Sequence, residues 1–303
     1  MHHVTHAITV MSSTGPVDLA PLNSLLTERD VSIVDTRTVP VPRKFAAGRD
    51  VSTLTLARVN DSEALKTALD QLSEQAGVDF VLQAQSVRQA DYRLAVFDMD
   101  STLIQCEVID ELASLHGVGD AVSAITERAM RGELDFKASF RERLAMLEGL
   151  TEGALAEVAS HLPITEGMPE LISTLRGRGI RTAILSGGFV YFAEYLQRTY
   201  GFDEVHANTL DIQNGVVTGR VAGEIVDGAR KAALLLSLAE SMGIEPAQVI
   251  AVGDGANDLP MLGLSGLGVA FRAKPVVRAA AAHNIRHVGL DGVLYLMGSR
   301  SEL

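Results

Sequence analysis

Cysteine is almost missing from this 303-residue chain. Cys106 stands alone and can close no internal disulfide, which fits a reducing compartment and a cytoplasmic location. Long apolar runs are missing too: none approaches the ~18 residues that a membrane-spanning helix needs, so no membrane partner is expected. The opening MHHVTHAITVMSSTG has no Lys or Arg and too short an apolar stretch for a secretory signal. Positive charge is in deficit, with 26 Lys and Arg against 38 Asp and Glu for a formal net charge of −12. That balance argues against broad electrostatic binding of nucleic acid. The eight histidines, with His2, His3 and His6 at the start, show no ligand spacing, and no zinc or Ser-His-Asp arrangement emerges. Repeats and low-complexity segments are lacking as well. An acidic chain that handles an anion must therefore gather positive charge locally.

Glycine is scarce in the first third. Of 27 glycines, only Gly15, Gly48 and Gly77 fall in residues 1–90, and that stretch carries little of the net charge. With 47% hydrophobic and 21% charged residues, the composition is globular and the length suits two domains. A boundary is expected near residues 86–91, where SVRQAD loses apolar periodicity, separating residues 1–88 from 89–303. The first part reads as strand Thr5–Val10, helix Val17–Glu28, strands Val31–Val41 and Val51–Ala57, helix Ser62–Ala76 and strand Phe80–Gln85. Asp61 is an N-cap signal and Gly77 a C-cap signal. A β-α-β-β-α-β order implies a ferredoxin-like α+β module.

In the second part, short apolar runs alternate with amphipathic stretches such as Arg230–Met242. Leu94–Phe97, Thr182–Leu185, Val249–Val252 and Leu267–Ala270 read as strands covered on both faces, the pattern of a parallel α/β sheet. Ligands in such sheets bind beyond the C-terminal strand ends, so the residues after each run are informative. Asp98 and Asp100 end the first run on one side of the chain, and like charges held so close invite a cation or a shared proton. Ser186-Gly187-Gly188 ends the second, where a hydroxyl and bare backbone N–H groups at a strand-to-helix turn could cradle phosphate. Asp254, Asn257 and Asp258 follow the third on a glycine-flanked loop whose oxygens suit a hard cation such as Mg²⁺. Lys231, one of two lysines between residues 101 and 240, opens a helical run, where its charge opposes the helix dipole. Each string alone also reads as a plain turn, cap or solvated side chain. Asn214-Gly215 marks a hairpin turn.

DMDST, the Ser186 turn, Lys231 and GDGAND, in that order and at these distances, resemble the four motifs of haloacid dehalogenase-like phosphatases across residues 93–290. DMDSTLIQCEVIDELA, FKASFRERLAMLEGL, LSGGF and VGDGANDLPML are most similar to the phosphoserine phosphatase branch. The resemblance implies a Rossmann-like core (residues 89–103 and 164–303) with a helical cap (104–163) built from Glu107–His116, Val118–Arg131, Phe136–Leu147 and Glu152–His161. It implies Mg²⁺-dependent hydrolysis of O-phospho-L-serine to serine and phosphate, the last step of serine biosynthesis. Asp98 would be the nucleophile and Asp100 the general acid and base. Asp98, the Asp100 backbone carbonyl and Asp254 would hold Mg²⁺. Ser186, Gly187, Lys231 and Asn257 would bind the phosphoryl group, with Asp258 supporting Lys231 or a metal-bound water. In the cap, Glu107 would take the substrate ammonium and Arg143 its carboxylate. Met130 and Phe136 are read either as the apolar pocket wall or as ordinary core. Cys106 is expected to be inert, because its surroundings are acidic, and His116 to cap its helix. The first part resembles ACT domains in pattern, which leaves open an amino-acid effector, a homodimer contact or plain packing. Phosphotransfer to another alcohol, another small phosphomonoester as substrate, and a non-catalytic amino-acid sensor are the alternatives.

Overall fold

Strand β1 (His6–Ser12) is buried along nearly its whole length, although it alternates Ile8 and Val10 with Thr9 and Met11. Both of its faces must therefore be covered. The computed structural model describes residues 4–42 and 48–298, so His2 and His3 lie outside the described residues. Helix α1 (Ala20–Glu28) starts later than the expected Val17. The Asp18 carboxylate accepts the Ala20 N–H at 2.9 Å, and Pro21 occupies the first turn, where no N–H is needed. Strand β2 (Ile33–Thr38) is shorter than expected: it is the outer edge strand, its pairing with β3 (Asp50–Leu56) shifts between Ile33 and Asp35, and Pro40 and Pro42 follow it. Helix α2 (Ser62–Ala76) has the expected ends, with Asp61 accepting the Ala64 N–H at 2.9 Å and Gly77 left-handed at φ 66°. Strand β4 (Asp79–Ala84) completes an antiparallel sheet of order β2-β3-β1-β4, the ferredoxin-like arrangement. Helices α1 and α2 cover one face over Ile8, Val10, Leu54, Leu56, Phe80 and Leu82.

The other face packs on the rest of the chain. Met11, Val51 and Val81 belong to the same buried cluster as Phe97 and Met297. The stretch expected as a boundary is a helical turn, α3 (Gln85–Arg88). Arg88 in it is buried and donates to Thr9 Oγ1, Thr53 Oγ1 and the Tyr295 carbonyl, each at 3.0 Å.

The second sheet begins with β5 (Leu94–Phe97), which leads into a tight turn over Met99–Leu103. Four cap helices follow: α4 (Val108–His116), α5 (Gly119–Met130), α6 (Phe136–Ala145) and α7 (Glu152–Ser160). The cap leaves and rejoins the core through an antiparallel bridge between Ile104 and Ile164. His116 precedes a left-handed Gly117 and shares a 3.0 Å hydrogen bond with the Glu148 carbonyl, tying α4 to the chain after α6. The core continues with α8 (Met168–Gly177), β6 (Arg181–Phe189), α9 (Val190–Tyr200), β7 (Glu204–Gln213), β8 (Val216–Ala222) and α10 (Gly228–Ser241). It ends with β9 (Val249–Gly253), α11 (Leu259–Leu264), β10 (Leu267–Phe271), α12 (Pro275–Ala280), β11 (His283–Ile285) and α13 (Gly292–Leu296).

Strand order is β11-β10-β9-β5-β6-β7-β8, parallel except for the β7–β8 hairpin at the edge. Asn214 and Gly215, both with positive φ, make that hairpin turn as expected. The fold is thus the doubly wound α/β sheet that the alternating runs imply, with a ferredoxin-like unit in front. Because β5 lies between β9 and β6, its C-terminal end is the switch point where ligands bind in such sheets.

Candidate active site

Asp98 leaves β5 with its backbone still in the ladder, its N–H donating to the Val252 carbonyl at 2.9 Å. Its Oδ1 accepts the Met99 N–H at 2.8 Å and lies 2.7 Å from Lys231 Nζ, leaving Oδ2 outside both contacts. Ser101 then takes the left-handed conformation at φ 57°, an unfavourable one for a non-glycine residue that marks a constrained turn. The turn brings Asp100 Oδ1 to 3.3 Å from the Val108 N–H and the Ser101 hydroxyl to 2.8 Å from Glu107 Oε1.

Strand β6 differs from the turn expected at Ser186. It runs on through Ser186-Gly187-Gly188 to Phe189, with the pairing to β7 broken between Leu185 and Phe189. Ser186 Oγ accepts the Gly188 N–H at 2.9 Å. A Cβ on Gly188 would lie 2.5 Å from Asp100 Oδ2 and 2.8 Å from Met99 Cε, so only bare backbone fits beside Asp100. Asn208 on β7, which carried no signal in the sequence, fixes this segment from behind. Its Nδ2 donates to the Gly187 carbonyl at 2.7 Å, and its Oδ1 accepts the Val226 N–H at 2.8 Å.

Lys231, in the first turn of α10, is 0% exposed. Its Nζ is 2.7 Å from Asp98 Oδ1 and donates to Asp258 Oδ1 at 2.7 Å, which uses two of three ammonium donors. Asp258 is equally enclosed, and its Oδ2 accepts the N–H groups of Asp254 at 3.1 Å and Gly255 at 3.0 Å. Thr102, also unmarked in the sequence, donates to Asp254 Oδ1 at 3.2 Å. Carboxylate oxygens of Asp98, Asp254 and Asp258 lie within 4.8 Å of one another. Asp100 adds no carboxylate to that cluster.

Crowded, poorly hydrated acids resist ionisation. Burial pushes Asp98 well above the usual carboxylate range; Asp258 adds to the shift and Lys231 opposes it. Burial, then Glu107 and Asp98, push Asp100 well up. Asp254 is pushed up to about 7 by burial, then by Asp258 and Glu107. Burial alone would lower Lys231, but Asp98 and Asp258 outweigh it and hold the ammonium above its ordinary value. The Cys106 thiol is pushed up to about 12 by burial and by Asp100, Glu111, Glu107 and Asp110, so thiolate is scarce at neutral pH. Hard oxygen donors this close, with one acid balanced near neutrality, fit a divalent cation such as Mg²⁺.

These groups face a cavity of about 930 Å³ between cap and core, with Asp98, Asp100, Glu107, Arg143, Gly187 and Asn257 on its wall. Ser186 and Lys231 lie fully buried behind that wall. From the cap, Arg143 lines the cavity, and its buried Nε has no hydrogen-bond partner among the described residues. Met130, 71% exposed, and Phe136 also line it, so both belong to the cavity wall rather than to the core.

A parallel sheet whose first strand ends in paired aspartates beside a buried lysine defines a phosphate-handling α/β hydrolase, and the comparisons with known proteins agree. Residues 95–263 match the model of the haloacid dehalogenase-like hydrolases, and the chain belongs to that family. Within it, the chain sits with the phosphoserine phosphatases, a branch of phosphoric monoester hydrolases. A phosphoserine phosphatase from Archaeoglobus fulgidus is 45% identical over 239 residues, covering 78% of this chain and 70% of that protein. Another, from Streptomyces coelicolor, is 46% identical over 242 residues, covering 80% of this chain but only 59% of its own length. The crystal structure of a haloacid dehalogenase family hydrolase from Salmonella enterica serovar Typhi superposes with a TM-score of 0.86 at 33% identity, covering 97% of this chain and 99% of that one.

Proposed function

We propose that the protein is a Mg²⁺-dependent phosphoserine phosphatase that hydrolyses O-phospho-L-serine through an aspartyl-phosphate on Asp98. The observation that carries the substrate is Arg143, on the cavity wall that Glu107 shares, with an Nε that has no hydrogen-bond partner among the described residues. A guanidinium on a cavity wall can donate two parallel hydrogen bonds to one carboxylate. Glu107 supplies the opposite charge for the ammonium. Together they fit the zwitterionic end of phosphoserine better than a sugar.

In this reading Asp98 attacks phosphorus, the bond from phosphorus to the serine oxygen breaks, and Asp100 gives that oxygen its proton. A raised pKa is what lets a carboxyl act as an acid near neutrality. Water then attacks the aspartyl-phosphate while Asp100 takes back a proton, releasing phosphate and restoring Asp98. Lys231 has one ammonium donor left for a phosphoryl oxygen, and Ser186, Gly187 N–H and Asn257 complete the phosphate shell. Asp98, the Asp100 carbonyl and Asp254 would hold Mg²⁺, which offsets the repulsion between carboxylate and phosphate. Asp258 supports Lys231 and the Asp254 loop.

The domain division in this reading is 1–88 and 89–303, with the cap at 104–163. An amino-acid effector or homodimer contact at residues 1–88 rests on resemblance to ACT domains; serine-dependent inhibition and sedimentation test the two. Cytoplasmic serine biosynthesis is the process such an enzyme serves. The deciding experiment is phosphate release from O-phosphoserine against a panel of phosphomonoesters, with and without Mg²⁺. Strong preference for O-phosphoserine is expected; equal rates across the panel overturn the substrate assignment.

A further inference from the structure

Cap helix α6 carries Arg143 and Phe136, and core helix α10 carries Lys231. An ion pair joins them: Lys137 Nζ lies 2.9 Å from Asp227 Oδ2. Asp227 is also the N-cap of α10, its Oδ1 accepting the Arg230 N–H at 2.9 Å and its carbonyl accepting the Lys231 N–H at 2.9 Å. The residue that starts the lysine helix thus holds the cap with its second carboxylate oxygen. The Arg230 N–H, then Lys137, hold this carboxyl below the usual range, so it is charged at neutral pH. Aromatic contacts seat the same helix. Phe140 lies 5.9 Å from Phe189, and Phe136 Cζ is 3.2 Å from where a Cβ on Gly187 would stand.

A cap resting this close on the phosphate segment must open for substrate to enter and product to leave. The aromatic contacts give the seat its shape, whereas the ion pair is the charged contact across the gap and links the substrate-carboxylate helix to the phosphate helix. We propose that Lys137 and Asp227 form a closing latch, made and broken in each turnover, that positions the cap over bound substrate. Both are positioning residues, since neither needs to touch the reacting atoms. The inference rests on the phosphatase reading above.

K137Q and D227N test it, because Asn is as good an N-cap as Asp and leaves α10 intact. Each should raise KM by roughly two- to fivefold, within the range of a partly exposed pair, while kcat is held or raised. The double variant should be no worse than either single variant, the non-additivity expected of two residues sharing one contact. The gap to wild type should narrow at high NaCl, which screens the pair. R131Q, which breaks an ion pair between Arg131 and Glu133 within the cap, should leave KM unchanged. Unchanged KM in both single variants, losses that multiply in the double variant, or a fall in kcat alone would overturn the latch. If O-phosphoserine is not hydrolysed, the substrate reading fails separately, and the same cycle is run on whichever phosphomonoester of the panel is turned over.

Discussion

Replacing Lys231 by Met gives the sharpest test of how the site is built. The side chain is 0% exposed, and its Nζ sits 2.7 Å from both Asp98 Oδ1 and Asp258 Oδ1. Methionine fills a similar volume, so the change removes a charge rather than opening a cavity. What remains is two enclosed carboxylates with Asp254 beside them and no cation. Deleting one partner of a buried ion pair costs about 3–5 kcal/mol. At roughly 2–4 °C per kcal/mol for chains of somewhat smaller size, Tm should fall by about 6–20 °C in EDTA. Lowering the pH lets the stranded carboxyls take up protons, so the gap between variant and wild type should be widest near pH 8 and narrow toward pH 5. Saturating Mg²⁺ binds the folded state and should recover part of the loss. Activity should fall about 10²–10³-fold, the usual cost of removing one donor to developing charge. Calorimetry across pH, with and without Mg²⁺, reads the first effects, and phosphate release reads the last. A variant that melts within about 2 °C of wild type in EDTA at pH 8 would refute the claim that Lys231 neutralises this cluster.

Three other outcomes follow from the same geometry. Burial pushes Asp254 up to about 7 in the folded chain, against roughly 3.9 for an unperturbed Asp. The folded state therefore keeps a proton that the unfolded chain loses, and metal-free stability should decline as pH rises from about 4 through 7; D254N should remove that part of the slope, and an identical slope would refute the assignment. G188A should cut kcat by more than about 10²-fold, because the added methyl falls 2.5 Å from Asp100 Oδ2 and misplacement on the ångström scale is enough for such a loss; near-normal kcat would show that the close approach is unimportant. R88A removes three hydrogen bonds from a buried guanidinium and should destabilise the chain by about 2–5 kcal/mol, raising protease sensitivity at residues 84–92; unchanged melting and proteolysis would refute its bracing role.

Much of the site was legible because strand-end reasoning asks little of long-range structure. Leu94–Phe97 and Val249–Val252 are continuous apolar runs in adjacent parallel strands, so the acids that follow them must meet. Lys231 stood out because its charge opposes the helix dipole, and two carboxylates at 2.7 Å supply the reason that position tolerates it. Ser186 was harder. The chain bends only after Phe189, and what holds the preceding segment is Asn208, distant in sequence and indistinguishable there from any polar residue on a strand. Lys137 likewise reads as a solvated helix residue until Asp227 is seen beneath it. Contacts made by one polar side chain across a tertiary gap leave no period and no motif.

The same reasoning explains why the first part of the chain looked separable. Its β-α-β-β-α-β order requires one buried sheet face, and helices α1 and α2 supply it. The second face is only visible as burial: Met11, Val51 and Val81 enter the core cluster of the catalytic part, while Asp79 at the start of β4 accepts the N–H groups of Arg286, His287 and Val288 at 2.8–3.0 Å. Those three donors would otherwise be unpaired, and burying unpaired donors is costly. Arg49 extends the contact, with Nη2 3.0 Å from Glu166 Oε1 and 3.1 Å from the enclosed Asp291 Oδ1. Glu166 lies two residues beyond Ile164, at the bridge where the cap rejoins the core. Removing the N-terminal unit would therefore expose apolar surface around Met297 and strand the buried Asp291 carboxylate, so its deletion cannot be treated as the loss of a detachable module.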